Sequence, residues 1–296
     1  MKNAIMYYYG LEPTEIHQTG KQYRFSIGED MYWLVPYERE EKELKDIYGL
    51  TEQLQAVGLP MHTIIFNQDK QMLTQINHLP YILLRITIQK KDKICLGEIL
   101  SFSKMTHSLS SYKTLYRNDW NTLWSEKIDY FAYQVSQFGK KFPLIRESFS
   151  YFCGLAENAI AYTNMMQKRT VSVCHKRISK NMSGLELYNP LTLILDYQVR
   201  DASEYFKDKF FNGYLSFEEI VYYLDYHLPK EEYDTFYTRM LFPSFYFDLY
   251  EDVIEKKVPE KELLHIIRKM PSYEQLLKEI YQYMSQSTAL MKPDWL

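Results

Sequence analysis

Two short stretches of the sequence carry residues that could do chemistry. The stretch TVSVCHKRISKNM (170–182) is a β-rich run that ends in His175 and continues as a loop. The stretch LTLILDYQ (191–198) is an apolar run of strand character that ends in Asp196. The loop after the histidine carries two basic residues, Lys176 and Arg177, rather than an acid.

Asp196 permits two interpretations. Its carboxylate could hold magnesium, since Mg²⁺ prefers oxygen ligands. It could equally close the turn after the strand by accepting hydrogen bonds from backbone amides, as short polar side chains commonly do. The residue types leave both interpretations open.

Other catalytic patterns are missing from the sequence, which contains no HExxH, GxSxG or CxxC motif. Cys174 and His175 are neighbours, and neighbouring residues of a strand point to opposite faces. This argues against a nucleophilic Cys/His pair. We expect a packed cysteine beside a hydrogen-bonded histidine.

Composition excludes some classes of protein. A net charge of −3 and a pI near 6.2 leave no basic footprint for nucleic acid. Three widely spaced cysteines suggest no disulfide framework and favour a reducing cytoplasm. No apolar run approaches the roughly 18 to 20 residues that span a bilayer. The 28 tyrosines predict either ordinary packing or a surface for assembly with partners.

The first third of the chain predicts a small α+β lobe. Alternating residues in His17–Tyr37 indicate strands, with turn residues at 28–30. Helical spacing follows at 44–54, and two further strands are predicted at 62–68 and 81–89.

From residue 90 the pattern becomes mainly helical, interrupted by the β-rich residues 170–198. A helix is predicted over Leu96–Leu109. Capping boxes predict three further helix starts, at Asp201–Glu204, Ser216–Glu219 and Ser272–Gln275.

This order of elements is typical of kinase-like folds. The segments CHKRISKN (174–181), ILDYQVRDASEYFKD (194–208), FSYFCGLAENAIAY (149–162) and TRMLFPSFYFD (238–248) also resemble a known family. It is the spore-coat-associated kinase-like family, in its YutH-type branch of the CotS group, related to aminoglycoside and choline phosphotransferases. The resemblance implies a bilobal α+β fold with a small mixed N-lobe (1–89) and a large helical C-lobe (90–296), whose degenerate loops lie within 170–200.

The resemblance also implies roles for single residues. The fold family places a catalytic aspartate two residues after the loop histidine, but Arg177 stands there, and arginine cannot act as a base. Asn181 falls one position short of the asparagine that binds a second magnesium. Asp196 stands at the position of the metal-binding aspartate.

The nucleotide-binding positions are similarly altered. Val35 stands where the resemblance places a strand lysine for the phosphates. Gly20 is alone where a glycine-rich loop would lie, and a single glycine between strands is more typical of a turn. Lys21 is expected to be solvated. The glutamates of the next helix, Glu40, Glu41 and Glu43, are expected to form a solvated face.

These losses predict a pseudokinase, a non-catalytic structural or assembly protein of the endospore coat. No cofactor is expected. The implied partners are other spore coat proteins, and the implied location is the mother-cell cytoplasm at the spore coat.

Two alternatives stay open. A divergent phosphotransferase could use ATP and Mg²⁺, with Asp196 holding the metal and another acid, such as Asp201, replacing the base. A binding module could hold an anion with Lys176 and Arg177 without turning it over.

Overall fold

The computed structural model describes residues 1–87, 92–105, 111–166, 169–179 and 181–293. These residues form two units. The first unit holds 1–87, 92–95, 111–115 and 181–194, and the second holds 96–105, 116–166, 169–179 and 195–293. The predicted boundary between residues 89 and 90 lies outside the described residues, as do the ends of the strand predicted over 81–89 and the helix predicted over 96–109.

An antiparallel sheet forms the basis of the first unit. Its strands are β1 (Ile16–Thr19), β2 (Gln22–Ile27), β3 (Asp30–Pro36), β4 (Thr63–Ile65), β5 (Thr74–Ile76) and β6 (Leu79–Arg85). They are ordered β1-β2-β3-β6-β4, and β5 also pairs with β6. Two-residue turns beginning at Gly20 and Gly28 join the first three strands, and both glycines have a φ of 59°. A positive φ is accessible to glycine without steric cost, so the sequence makes tight hairpins here.

Three helices belong to the first unit, namely α1 (Lys2–Tyr9), α2 (Glu41–Ala56) and α6 (Gly184–Leu187). Ile5 of α1 is fully buried against one face of the sheet, where it meets Phe25, Tyr32 and Leu34. Burial of an isoleucine of this kind contributes roughly 1.5–3 kcal/mol. The α+β character predicted for this part of the chain is thus present.

The second unit is mainly helical. Its helices are α3 (Leu96–Met105), α4 (Trp120–Phe138), α5 (Pro143–Thr163), α7 (Val199–Asn212), α8 (Phe217–His227), α9 (Tyr233–Leu241), α10 (Ser244–Ile254) and α11 (Leu263–Ser285). Strand β7 (Val171–His175) pairs with β8 (Leu193–Tyr197), whose last three residues belong to this unit. None of the helices in the described part of the chain combines the length and apolarity that a bilayer crossing requires.

Aromatic rings fill the core of the second unit. Phe152 stacks on Tyr246 with ring centroids 3.7 Å apart, and Trp124 stacks on Phe242 at 4.1 Å. Many tyrosines therefore serve ordinary packing. Others are exposed by 40% or more, namely Tyr7, Tyr130, Tyr133, Tyr151, Tyr214, Tyr222 and Tyr226.

One of the three predicted helix starts is confirmed and two are wrong. Ser216 and Glu219 form the predicted capping box of α8. Asp201 lies inside α7, which begins at Val199, and its carboxylate is used elsewhere. Ser272 lies within α11, which continues through Pro271. A capping pattern is local, so it does not exclude a helix that begins earlier in the chain, as both α7 and α11 do.

Candidate functional site: the ends of strands β7 and β8

His175 ends β7, and its side chain is fully buried. Its Nδ1 lies 2.7 Å from Oδ2 of Asp201, and its backbone N–H donates to both oxygens of the same carboxylate. Asp201 therefore orients the histidine, which corrects the prediction that it caps a helix. The neighbouring Cys174 is buried as expected, and burial raises the pKa of its thiol well above the ordinary value.

Asp196 lies near the end of β8 and has no exposed surface. Its Oδ1 accepts hydrogen bonds from the indole N–H of Trp120 and the backbone N–H of Tyr197, each at 2.8 Å. Its Oδ2 accepts from Nη1 of Arg200 at 2.6 Å. Burial raises the pKa of the Asp196 carboxyl, and Arg200 offsets part of this increase.

Arg200 joins the two strand ends, a role that the residue types of the sequence do not predict. Besides its bond to Asp196, it donates from Nε to the carbonyl of His175 and from Nη2 to the carbonyl of Lys176, each at 3.2 Å. The residue lies in the first turn of α7, where the helix dipole disfavours a positive charge. An arginine at such a position indicates a specific carboxylate partner, but the sequence predicts the helix to begin at Asp201, one residue later, so this indication appears only in the structure.

A second network of buried charged residues is centred on Glu204 of α7. Glu204 is bonded to Lys207, to Arg239 and to Ser244, each at 2.7 Å. These cations hold the pKa of the Glu204 carboxyl below its ordinary value even though burial opposes them, and burial lowers the pKa of Lys207 to about 8. The guanidinium of Arg239 lies 5.2 Å from the ring centroid of Trp120, which connects this network to Asp196.

Arg177 is exposed and is paired with acids. Its Nη2 lies 2.9 Å from Asp248 and 3.9 Å from Glu251, and Lys127 also lies within 4 Å of both carboxylates. Arg177 borders a cavity of about 590 Å³ whose wall includes Asp248 and Glu204. Asp248 and Glu204 thus already have cationic partners within the chain.

The remaining predicted positions lie in the first unit. Val35 pairs with Ile82 inside the sheet and is buried. Gly20 forms the hairpin turn between β1 and β2. The amide oxygen of Asn181 accepts a hydrogen bond from Lys93 at 2.9 Å.

The expectation of a solvated acidic face on α2 is wrong for Glu43. Its side chain is 7% exposed and forms an ion pair with Arg39, whose Nε lies 2.6 Å from Oε2 of the glutamate. Arg39 also donates to the carbonyls of Leu191 and Leu193. The pair therefore fixes the segment that leads into β8.

The donors around Asp196 do not fit a divalent cation. Both carboxylate oxygens accept N–H groups, and a guanidinium already occupies the position in which a metal would balance the negative charge. Among the described residues, no group of three or more His, Cys, Asp or Glu side chains is placed to hold a metal. Mg²⁺ at Asp196 would compete with Arg200 for the same buried carboxylate.

Comparison with known proteins identifies relatives of the whole chain. The profile of the family described as "Spore coat putative kinase YutH" matches residues 2–280. The endospore coat-associated protein YutH of Bacillus subtilis (strain 168) is 24% identical, in an alignment that covers 100% of this chain and 98% of that protein.

Two solved structures show the same fold. A spectinomycin phosphotransferase, in complex with ADP and spectinomycin, superimposes with a TM-score of 0.59 at 13% identity, covering 94% of this chain and 92% of that one. An aminoglycoside phosphotransferase from Alicyclobacillus acidocaldarius also has a TM-score of 0.59, at 12% identity and 94% coverage of both chains. The predicted fold class, α+β and kinase-like with a mainly helical C-terminal part, is confirmed.

Proposed function

Because the chain belongs to the spore coat YutH family and has the fold of aminoglycoside phosphotransferases, we propose that it is a non-catalytic assembly protein of the endospore coat. It uses a kinase-like fold as a scaffold. Its partners are other coat proteins, and it works at the coat from the mother-cell side.

The burial and hydrogen bonding of the Asp196 carboxylate are the main support for this proposal. Phosphoryl transfer on this fold depends on placing metal and charge around the phosphates. Here the carboxylate at the metal position is buried, and it is bonded to Trp120, Tyr197 and Arg200. Freeing it would leave a buried guanidinium without its partner, which is costly.

Arg177 and Val35 support the same conclusion. Arg177 places a permanent positive charge at the position of the base and is paired with Asp248. Val35 is an apolar side chain at the lysine position. The exposed tyrosines supply contact area of the kind that protein interfaces favour.

A titration with ATP and Mg²⁺ to millimolar concentration, followed by thermal unfolding, tests the non-catalytic role. We expect a shift in Tm below one degree, the same as with Mg²⁺ alone or with ATP and EDTA. A ligand at 100 times its Kd would stabilise by about 2.7 kcal/mol, which corresponds to several degrees. A saturable, Mg²⁺-dependent shift accompanied by phosphate release would establish the phosphotransferase alternative instead.

Fluorescence microscopy of a tagged chain in sporulating cells tests the coat assignment. We expect a ring around the forespore. A diffuse mother-cell signal throughout sporulation would contradict the assignment.

A further inference from the structure

A groove between α5 and α11 has the properties of a docking surface. It has a volume of about 420 Å³, within the range of ligand-binding pockets. Its floor and walls are mostly apolar and come from two stripes at helical spacing. The apolar residues that line it are Leu144 and Phe152 of α5, and Leu264, Ile267, Met270 and Pro271 of α11.

Both charged residues among the described lining residues are acids. The side chain of Glu147 is 69% exposed, and its ion-pair partner Arg146 is 3.9 Å away, so little of its charge is compensated. Glu274, on the opposite wall, accepts a hydrogen bond from the hydroxyl of Tyr151. The rim therefore attracts positive charge from both sides.

Pro271 of α11 leaves one backbone carbonyl of the helix without its usual N–H donor. Proline has no N–H, so the helical hydrogen bond from Pro271 to the carbonyl of Ile267 cannot form. Both residues line the groove. Proline in the interior of a helix is costly, and here it lies in the wall of the groove together with the carbonyl-bearing Ile267.

From these features we infer that the groove docks a basic amphipathic helix of a partner protein. The lining residues extend over nine positions of α5 and eleven of α11, which corresponds to about 13–16 Å of helix. That length accommodates apolar side chains at positions i, i+3 or i+4, and i+7 of a docked helix. Lysine or arginine beside these anchors meets the two glutamates and the Ile267 carbonyl.

The inference refines the proposed scaffold role by giving the chemistry of one partner, and it rests on that role. Its test is independent of nucleotide. If ATP turnover were found, the scaffold proposal would fail. The peptide-binding measurements would still decide whether the groove docks a basic helix.

Fluorescence anisotropy with a labelled Leu/Lys amphipathic helix of about three turns measures docking. We expect the Leu/Lys peptide to bind and a Leu/Glu peptide of the same pattern to bind at least tenfold more weakly. Glu147→Lys should weaken binding of the Leu/Lys peptide about tenfold through like-charge repulsion. The matched control is Glu126→Lys, an equal charge change at an exposed position of α4, which should leave binding unchanged.

Pro271→Ala separates docking from folding. Restoring the N–H completes the helix, so Tm should rise by several degrees. The same N–H takes up the Ile267 carbonyl, so peptide binding should weaken several-fold. A purely structural role for the proline predicts no change in binding.

Three results would overturn the inference. The first is equal binding of the Leu/Lys and Leu/Glu peptides, and the second is equal weakening by Glu147→Lys and Glu126→Lys. The third is self-association in sedimentation that Glu147→Lys abolishes and the peptide displaces, because the occupant would then be a second copy of this chain.

Discussion

The ends of β7 and β8 and the groove between α5 and α11 use their polar groups in opposite ways. At the strand ends, the side chains of His175, Asp196 and Arg200 are all bonded to other groups of the chain. In the groove, Glu147 is largely exposed and the carbonyl of Ile267 lacks its helical donor. On the proposed function, the polar groups at the strand ends serve the structure, and the inferred docking surface lies elsewhere in the same unit, in the groove between α5 and α11.

The largest effect on the free energy of unfolding is expected for a substitution of Asp196, whose carboxylate is fully bonded within the strand-end region. Asp196→Asn replaces a carboxylate with a group that cannot balance Arg200, whose side chain is 12% exposed. Breaking a buried ion pair on one side costs about 3–5 kcal/mol. Urea unfolding followed by circular dichroism should show this loss in the free energy of unfolding.

The double variant Asp196→Asn/Arg200→Met is the matched control. It removes both charges, so it should recover much of the lost stability. A chain that keeps Asp196 for metal would behave differently, because the single variant would then cost little in the absence of ligand. If Asp196→Asn alone were as stable as the wild type, the interpretation of Asp196 as a structural residue would be wrong.

The architecture could be predicted from the sequence to a useful extent. Alternation predicts β1 to β3, and the positive φ of Gly28 accounts for the turn between β2 and β3. The capping box at Ser216 is correct. These features depend on residues close together in the chain, so local patterns are sufficient to reveal them.

The site could be predicted only in part, because its partners are distant in sequence. The sequence predicts a solvated Glu43, since nothing near α2 shows that Arg39 binds the carbonyls of residues 191 and 193. The local pattern predicts a cap at Asp201, because its buried partner, His175, precedes it by 26 positions. A pattern of residue types does not reveal which buried donor will meet which acceptor.

Alkaline pH should act on the region beneath the groove. Burial raises the pKa of Tyr246 to about 12, although its hydrogen bond with Ser148 opposes the shift. The folded pKa lies above the unfolded value of 10, so the stabilisation is complete below pH 10 and is lost as pH rises towards 12. Two units of pKa correspond to about 2–3 kcal/mol.

Urea unfolding at several pH values between 9 and 12, with tyrosinate absorbance recorded in parallel, measures this loss. Tyr246→Phe should reduce the slope of stability against pH over that interval. The exposed Tyr226 provides the control, because Tyr226→Phe should leave the slope unchanged. Equal slopes for the wild type and Tyr246→Phe would contradict the expectation.

Trp120→Phe should cost about 2 kcal/mol by removing one donor from the Asp196 carboxylate, since hydrogen bonds to charged groups contribute roughly 1.5–3 kcal/mol. Trp124→Phe is the comparison variant, because Trp124 stacks on Trp120 and Phe242 and should lose mainly packing. The free energy of unfolding in urea measures both. A larger loss for Trp124→Phe would show that packing matters more here than the bond to Asp196.

The smallest effect is expected at Arg177, whose side chain is 66% exposed. Arg177→Asp restores the acid that the fold family carries there, but it places a third carboxylate beside Asp248 and Glu251. Loss of an exposed pair and a new like-charge contact should together cost at most about 1 kcal/mol, and less at high salt. The proposed function predicts that phosphate release from ATP stays at the background level, because it treats Asp196 as a partner of Arg200 and not as a metal ligand. Measurable turnover in Arg177→Asp would mean that one substitution had silenced an otherwise intact site, and the contrast between a closed strand-end region and an open groove would no longer hold.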